Sequence, residues 1–233
     1  MKIHPIKALS DNYIWGIEEK GQAVVVDPGE SEDVMTYLEE TELDLIAILL
    51  THNHDDHIGG VLDIYESYPD IAIFGPDETE PLVNHNVQEG DSFELLGQTF
   101  EVFKTAGHTE GHISYLTDDL LFCGDALFSG GCGRVFTDDY QAQYDALQKF
   151  KELDGETKVY AAHEYTEINL RFAQSIEPDN QVIADALEEA QNLLIEDKPT
   201  LPSTIQREKD INLFLQADTL EDFVELRKKR DDF

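Results

Sequence analysis

Thr51-His52-Asn53-His54-Asp55-Asp56-His57-Ile58-Gly59-Gly60 follows directly on Leu45-Ile46-Ala47-Ile48-Leu49-Leu50, an apolar run bounded by polar residues that reads as a buried strand. The stretch is a cluster of ligand-type side chains at a strand end. Neutral imidazole and carboxylate suit zinc, iron or manganese, and no thiolate sits among them. If the strand runs out near Thr51, His52 and His54 can point to the same side, because side chains at i and i+2 do so in extended backbone. Asp56 and His57 then arrive from the following turn, where Gly59-Gly60 lets the backbone fold tightly before a helix. One short loop thus offers two pairs of ligands, which suggests two metals rather than one.

A solvated, histidine-rich loop is the plain alternative, but H-x-H-x-D-H after a buried strand carries a specific ligand spacing. The pattern T-H-x-H-x-D-H resembles the signature of the metallo-β-lactamase-fold hydrolases. That resemblance implies an α/β fold, an αββα sandwich of the metallo-β-lactamase type.

Working outward, 233 residues can bury a sizeable core and fit one large domain or one domain with a small appendage. No segment approaches the roughly 18 to 20 apolar residues of a membrane span. The start, Met1-Lys2-Ile3-His4-Pro5-Ile6, has no signal-peptide apolar core, so a cytoplasmic location is expected. Cys123 and Cys132 are too few for a disulfide framework, and reduced thiols are expected, Cys132 as a small buried residue. Sixteen basic residues stand against fifty acidic ones, a formal charge of −34. Such a surface repels nucleic acid, whose binding rests on Lys and Arg neutralising phosphates. It also suits high salt, where the Debye length falls to about 3 Å at 1 M and self-repulsion is screened.

In chain order, strands are expected around Ile3-Lys7, Tyr13-Ile17 and Ala23-Val26, with Asp27-Pro28-Gly29 stopping the last. Ser31 is the expected N-cap of a helix striped by Val34, Tyr37 and Leu38. After Gly60 a short helix ends before Pro69, and Ile71-Ala72-Ile73-Phe74 is a strand. Residues 77 to 91 are polar and turn-rich, with His85 read as a surface residue. Phe93 to Leu96 and Thr99 to Lys104 read as a hairpin turning at Gly97-Gln98, and it delivers Thr105-Ala106-Gly107-His108-Thr109-Glu110-Gly111-His112. Strands at Ile113-Leu116 and Leu120-Phe122 lead to Asp125; alone, an aspartate there is also compatible with a turn. A helix is expected from Thr137, with Asp138 and Asp139 in its first turn, and a last strand, Lys158 to Ala162, ends at His163-Glu164-Tyr165. From 164 the composition changes to a small helical region, with helices around Ile183 to Leu194 and Leu220 to Leu226. Arg227-Lys228-Lys229-Arg230, the one basic run, reads as a solvated helix face. The expected division is therefore 1–163, the sandwich, and 164–233, the helical region.

Several separated motifs narrow the resemblance. Asp11-Asn12-Tyr13-Ile14-Trp15, Gly107-His108-Thr109-Glu110-Gly111-His112, Gly130-Gly131-Cys132-Gly133-Arg134 and His163-Glu164-Tyr165-Thr166-Glu167-Ile168-Asn169-Leu170 together resemble the glyoxalase II family, the hydroxyacylglutathione hydrolases, over nearly the whole chain. Carried over from that family, His52, His54 and His108 would hold one metal, Asp56, His57 and His163 the other, and Asp125 would bridge. His112 would support the loop, because metal-bound histidines need partners that fix their orientation. The resemblance implies two divalent metal ions per chain, zinc expected, with iron or manganese also suited. It further implies hydrolysis of a glutathione thioester such as S-D-lactoylglutathione by hydroxide between the metals, with Asp56 orienting it. Substrate contacts would fall on Arg134, Phe136, Tyr165, Arg207 and Lys209. The chain departs from the family at Gln206, where a basic residue is common, at Asn212-Leu213-Phe214-Leu215-Gln216 in place of N-P-F-L-R, and at Phe136, which lacks a hydroxyl. No nucleic-acid or membrane partner is expected, and a monomer is. The rival readings are a lactonase, β-lactamase or nuclease of the same fold, a single-iron sulfur dioxygenase, and a metal-binding protein without catalysis.

Overall fold

The computed structural model describes residues 1–233. The chain folds as two compact units, one of residues 1–104 with 111–118 and one of 105–110 with 119–233. The second unit thus takes in residues on both sides of the composition change at 164.

The first unit opens with β1 (Lys2–Ala8), β2 (Asn12–Glu19), β3 (Gln22–Val26), α1 (Glu32–Thr41) and β4 (Asp44–Leu49). The short helices α2 (Asp55–Ile58) and α3 (Val61–Ser67), then β5 (Ala72–Gly75) and β6 (His85–Asn86), complete a sheet of order β1-β2-β3-β4-β5-β6. Its first two pairings are antiparallel and the other three parallel. Ala23 to Val26 are all buried to 2% exposure or less, so β3 is covered on both faces, and its unbroken apolar run is what such a strand requires. On one face Ile6, Ile14, Val25, Ile48 and Ile73 pack with Val34 and Leu38 of α1 and Val61 and Ile64 of α3. Three antiparallel strands follow, β7 (Ser92–Leu95), β8 (Gln98–Lys104) and β9 (Ile113–Thr117). Leu96 and Gly97 both take positive φ, the mirror-image turn that matches hairpin twist.

In the second unit β10 (Leu120–Gly124) runs parallel to β11 (Lys158–Ala161). The remaining elements are α4 (Tyr140–Lys151), α5 (Thr166–Ile176), α6 (Gln181–Ile195), β12 (Ser203–Thr204), α7 (Ile205–Ile211), α8 (Leu213–Gln216) and α9 (Leu220–Asp231). Leu170 and Ala173 of α5 pack on Ile183, Ala186, Leu187 and Ala190 of α6. No helix is long and apolar enough to cross a membrane.

Three local expectations are corrected. Ser31 stands at the head of α1 but makes no side-chain cap, because its backbone is already helical and its hydroxyl donates to Asp63. Helix α4 starts at Tyr140, not Thr137: Asp139 is the cap, accepting from the Ala142 N–H at 3.0 Å, while the Thr137 hydroxyl donates to the Gly107 carbonyl. The basic run is not a solvated face throughout. Arg227 is 4% exposed, stacks on the Phe214 ring and donates to the Cys132 carbonyl at 2.7 Å. Cys132 is buried, and burial raises its thiol above the ordinary value.

Candidate metal centre

In the first unit the site begins where two parallel strands end in step, Val26 of β3 beside Leu49 of β4. Asp27 leaves β3 with φ +51°, a conformation that aspartate tolerates better than most residues. There its N–H reaches the Leu49 carbonyl at 2.9 Å and its carboxylate accepts the Thr51 N–H at 2.8 Å and the Thr51 hydroxyl at 2.7 Å. The same carboxylate lies 3.0 Å from His57 Nδ1. Sequence reasoning took Asp27 only as a strand stop. Its position at the carboxyl end of a strand next to the histidine-bearing one was the available signal.

Asp27 dictates where protons sit on two rings. The Thr51 hydroxyl gives its only proton to Asp27, so at 2.9 Å His52 Nδ1 must be the donor to Thr51 and Nε2 keeps its lone pair. His57 Nδ1 donates to Asp27 directly, which leaves the lone pair on Nε2 of that ring too. Asp27, His52 and His57 have donor atoms within 4.8 Å of one another, but three hydrogen bonds engage the Asp27 oxygens, so this carboxylate orients rather than ligates. Extended backbone at 52–54 brings His52 Nε2 and His54 Nδ1 to 3.1 Å, as the i, i+2 spacing predicts. Two nitrogens bound at about 2.0 to 2.1 Å on a tetrahedral ion stand about 3.3 Å apart, so the pair fits one cation. Asp56 Oδ2 lies 3.7 Å from His57 Nε2 and accepts from the Asn12 amide, which also holds the Asp56 carbonyl. His112 is fully buried with its ring stacked on His52 at 4.8 Å. A Cβ on Gly29 would stand 1.9 Å from the Asp56 carbonyl oxygen, so only glycine lets the 27–30 and 55–60 backbones meet.

The second unit repeats the arrangement with β10 and β11. Asp125 follows Gly124, which takes φ +49°, and His163 follows the end of β11 beside it. Asp125 Oδ2 lies 3.3 Å from His108 Nε2, and its Oδ1 lies 3.3 Å from His163 Nε2. His108 Nδ1 is 2.8 Å from the Arg134 carbonyl, which can only accept, so Nδ1 carries the proton and Nε2 presents a lone pair to a carboxylate. Two acceptors facing each other call for a positive charge between them. The donor set fits a divalent cation at each oxygen of Asp125. A Cβ on Gly133 would fall 2.0 Å from the Asp125 carbonyl oxygen and 2.9 Å from His108 Nδ1, so glycine is required here as well. The His108 loop seats on α4, whose buried Gln143 donates to the Ala126 carbonyl at 2.7 Å.

Of the expected substrate contacts, Tyr165 stacks on His163 with ring centroids 4.7 Å apart, and the exposed Phe136 meets the His108 ring edge-on at 5.3 Å. The Arg134 guanidinium lies 6.0 Å from the Phe136 ring centre. On α7, Arg207 pairs with Glu189 at 2.7 Å and Lys209 Nζ is 3.5 Å from the Leu153 carbonyl. Between them Glu208, missed in the sequence, is fully buried. It accepts from Ser129, the Gly130 N–H, Ser203 and Asn212, tying α7 to the 129–131 turn. Burial raises its carboxyl above the ordinary range although these donors pull the other way.

The sequence profile of the metallo-beta-lactamase superfamily matches residues 10–163, and that of the hydroxyacylglutathione hydrolase C-terminus matches residues 164–233. A hydroxyacylglutathione hydrolase from Glaesserella parasuis serovar 5 (strain SH0165) is 52% identical over 100% of both chains. The chain belongs to the hydroxyacylglutathione hydrolase family of the metallo-beta-lactamase superfamily. Its fold class is accordingly the α/β sandwich of that superfamily with a helical C-terminal region. Among solved structures, ETHE1 from Myxococcus xanthus aligns with a TM-score of 0.76 at 25% identity, over 98% of this chain and 90% of that one. TTHA1623, solved in a di-iron-bound form, aligns with a TM-score of 0.61 at 27% identity, over 69% of this chain and 91% of that one. Membership of the hydroxyacylglutathione hydrolase family agrees with the resemblance drawn from the separated motifs.

Proposed function

We propose that the protein hydrolyses glutathione thioesters, S-D-lactoylglutathione to D-lactate and glutathione, the second step of methylglyoxal detoxification, with two divalent metal ions per chain. The observation that carries this reading is Asp125, each of whose oxygens faces the ligand nitrogen of a different histidine, in a chain 52% identical along its whole length to a hydroxyacylglutathione hydrolase. His52, His54 and His108 hold one cation, Asp56, His57 and His163 the other, and Asp125 serves both. Zinc is the expected metal, and nitrogen and oxygen donors suit iron and manganese as well. When bound, such a pair lowers the pKa of the water it shares and polarises the thioester carbonyl.

The chain's own groups do the rest. Asp56, steadied by Asn12, orients the attacking water toward the carbonyl carbon. Asp27 and the Arg134 carbonyl keep Nε2 of His52, His57 and His108 free of protons, so these nitrogens stay available as ligands. The Arg134 guanidinium favours the departing glutathione thiolate, and Phe136, Tyr165, Arg207 and Lys209 contact the peptide portion. On this reading the helical region 164–233 shapes the substrate site, and the enzyme acts as a cytoplasmic monomer.

Steady-state hydrolysis of S-D-lactoylglutathione beside lactone and β-lactam substrates, with elemental analysis of the same sample, tests the assignment. Thioester turnover with about two metals per chain is expected. Preference for a lactone or lactam, or a metal count near one, would overturn it. Loss of activity in His54→Ala separates catalysis from mere metal binding.

A further inference from the structure

Glu208 is a buried carboxylate with no cation beside it. Ser129 Oγ donates to its Oε1 at 2.9 Å and Ser203 Oγ to the same oxygen, while the Gly130 N–H reaches Oε2 at 2.8 Å and the Asn212 amide at 3.0 Å. Each oxygen thus receives two donors, the full capacity of a carboxylate. Asn212, also fully buried, accepts the Phe214 and Leu215 N–H groups through Oδ1. That fixes the amide, so Nδ2 faces the Phe128 carbonyl at 3.2 Å and the Gly131 carbonyl at 2.9 Å. The same two carbonyls close the 128–131 turn, each accepting the N–H of the other residue. Glu208 within α7 and Asn212 just after it therefore hold this turn by both closing carbonyls, an N–H and a hydroxyl.

The turn carries Phe128. Its buried ring stands perpendicular to His163, with centroids 5.7 Å apart, and to Tyr165, at 5.2 Å. Those two rings stack on each other at 4.7 Å and are parallel to within 8°. One member of the stack is a candidate metal ligand and the other a candidate substrate contact. Burying a carboxylate without a cation is costly, and for stability alone apolar packing commonly serves as well as buried charge. What a fully satisfied polar hub adds is a single geometry. The geometry fixed here is that of the turn beneath Phe128.

We propose that Glu208 is a positioning residue for the candidate metal centre: with Asn212 it sets the 128–131 turn, the turn sets Phe128, and Phe128 fixes the His163–Tyr165 stack. The inference rests on the glutathione-thioester reading for what His163 and Tyr165 do. It concerns the reacting end of the substrate, so its effect is the same for a thioester that has no peptide portion.

The test compares Glu208→Gln, Ser129→Ala, Ser203→Ala and Phe128→Leu. Glutamine keeps the shape but turns an NH2 toward two donors, which breaks the hub. Ser129→Ala cuts a tie to the turn, whereas Ser203→Ala cuts the tie to β12 and leaves the turn held. The readouts are zinc retention by chelator competition, kcat with S-D-lactoylglutathione and with S-D-lactoyl-N-acetylcysteamine, and the urea midpoint. Glu208→Gln is expected to weaken zinc retention about tenfold and to lower kcat about tenfold on both thioesters. Ser129→Ala moves both in the same direction by about threefold, as for one lost hydrogen bond, while Ser203→Ala leaves both within about twofold at a similar loss of urea midpoint. Phe128→Leu reproduces the Glu208→Gln loss, and the double variant adds little to either, as for two residues acting in series. The proposal is overturned by a lowered urea midpoint with zinc retention and kcat unchanged, by equal kinetic effects of the two serine variants, or by additive effects of Glu208→Gln and Phe128→Leu. A loss confined to the glutathione thioester overturns it too, since the role then lies in recognition of the peptide portion. If Glu208→Gln does not fold, the serine pair decides alone. Wild type inactive on both thioesters sinks the functional reading, and zinc retention then decides the positioning by itself.

Discussion

The ends of the β3–β4 pair and of the β10–β11 pair are built alike and used differently. Each is a pair of parallel strands whose first member releases an aspartate and whose second releases a histidine. Asp27 meets hydrogen-bond donors: a backbone N–H, a hydroxyl and an imidazole Nδ1. Asp125 meets two Nε2 atoms, one of which carries a lone pair by virtue of the Arg134 carbonyl. The same residue type at the same topological position therefore orients imidazoles in one unit and, on the proposed reading, is itself a ligand in the other. What separates the roles is which face of the neighbouring imidazoles the carboxylate sees, not its place in the fold.

That contrast can be broken by substitution. On the proposed reading Asp125→Asn removes the charge that two cations would share, and kcat/KM should fall on the order of a thousandfold, with metal content well below two per chain by elemental analysis. The backbone approaches behind the two aspartates come next. Gly29→Ala and Gly133→Ala each drive a methyl into a carbonyl oxygen, at 1.9 and 2.0 Å, and should each cost about 3 kcal/mol or prevent folding, read by urea denaturation. A large difference between them would show that the two units do not rely on the same close packing. Asp27→Asn keeps the shape but alters the orienting charge, and a milder loss of about 10- to 100-fold in metal affinity or activity is expected. Were Asp27→Asn as damaging as Asp125→Asn, the division of roles would be wrong. The smallest effect spares both clusters: between low and moderate salt, KM for an anionic thioester should fall severalfold with kcat changing less, because screening weakens repulsion by a surface at −34. Thermal unfolding should shift upward toward molar salt for the same reason.

The two units also differ in how much of them could be read without coordinates. In the first, the candidate ligands lie within 52–57, so strand period and loop chemistry alone point to them. In the second they are spread over 108, 125 and 163, and only likeness to a family groups them, since a lone aspartate after a strand is also a common turn residue. Asp27 was legible as a strand end and not as an orienting group, because that role exists only once β3 pairs with β4. Arg227 and Glu208 were illegible for a shared reason: charged side chains read as exposed by default, and their burial depends on partners 78 to 95 positions away or on strand β12. The cap of α4 was displaced by two residues because Thr137 is claimed by the Gly107 carbonyl, a contact no local pattern encodes.

Asp27 joins His57 directly and His52 by way of the Thr51 hydroxyl, so a single side chain settles the tautomer of both rings. An exchange at Asp27 therefore reaches both imidazoles at once, one directly and one through the hydroxyl between them.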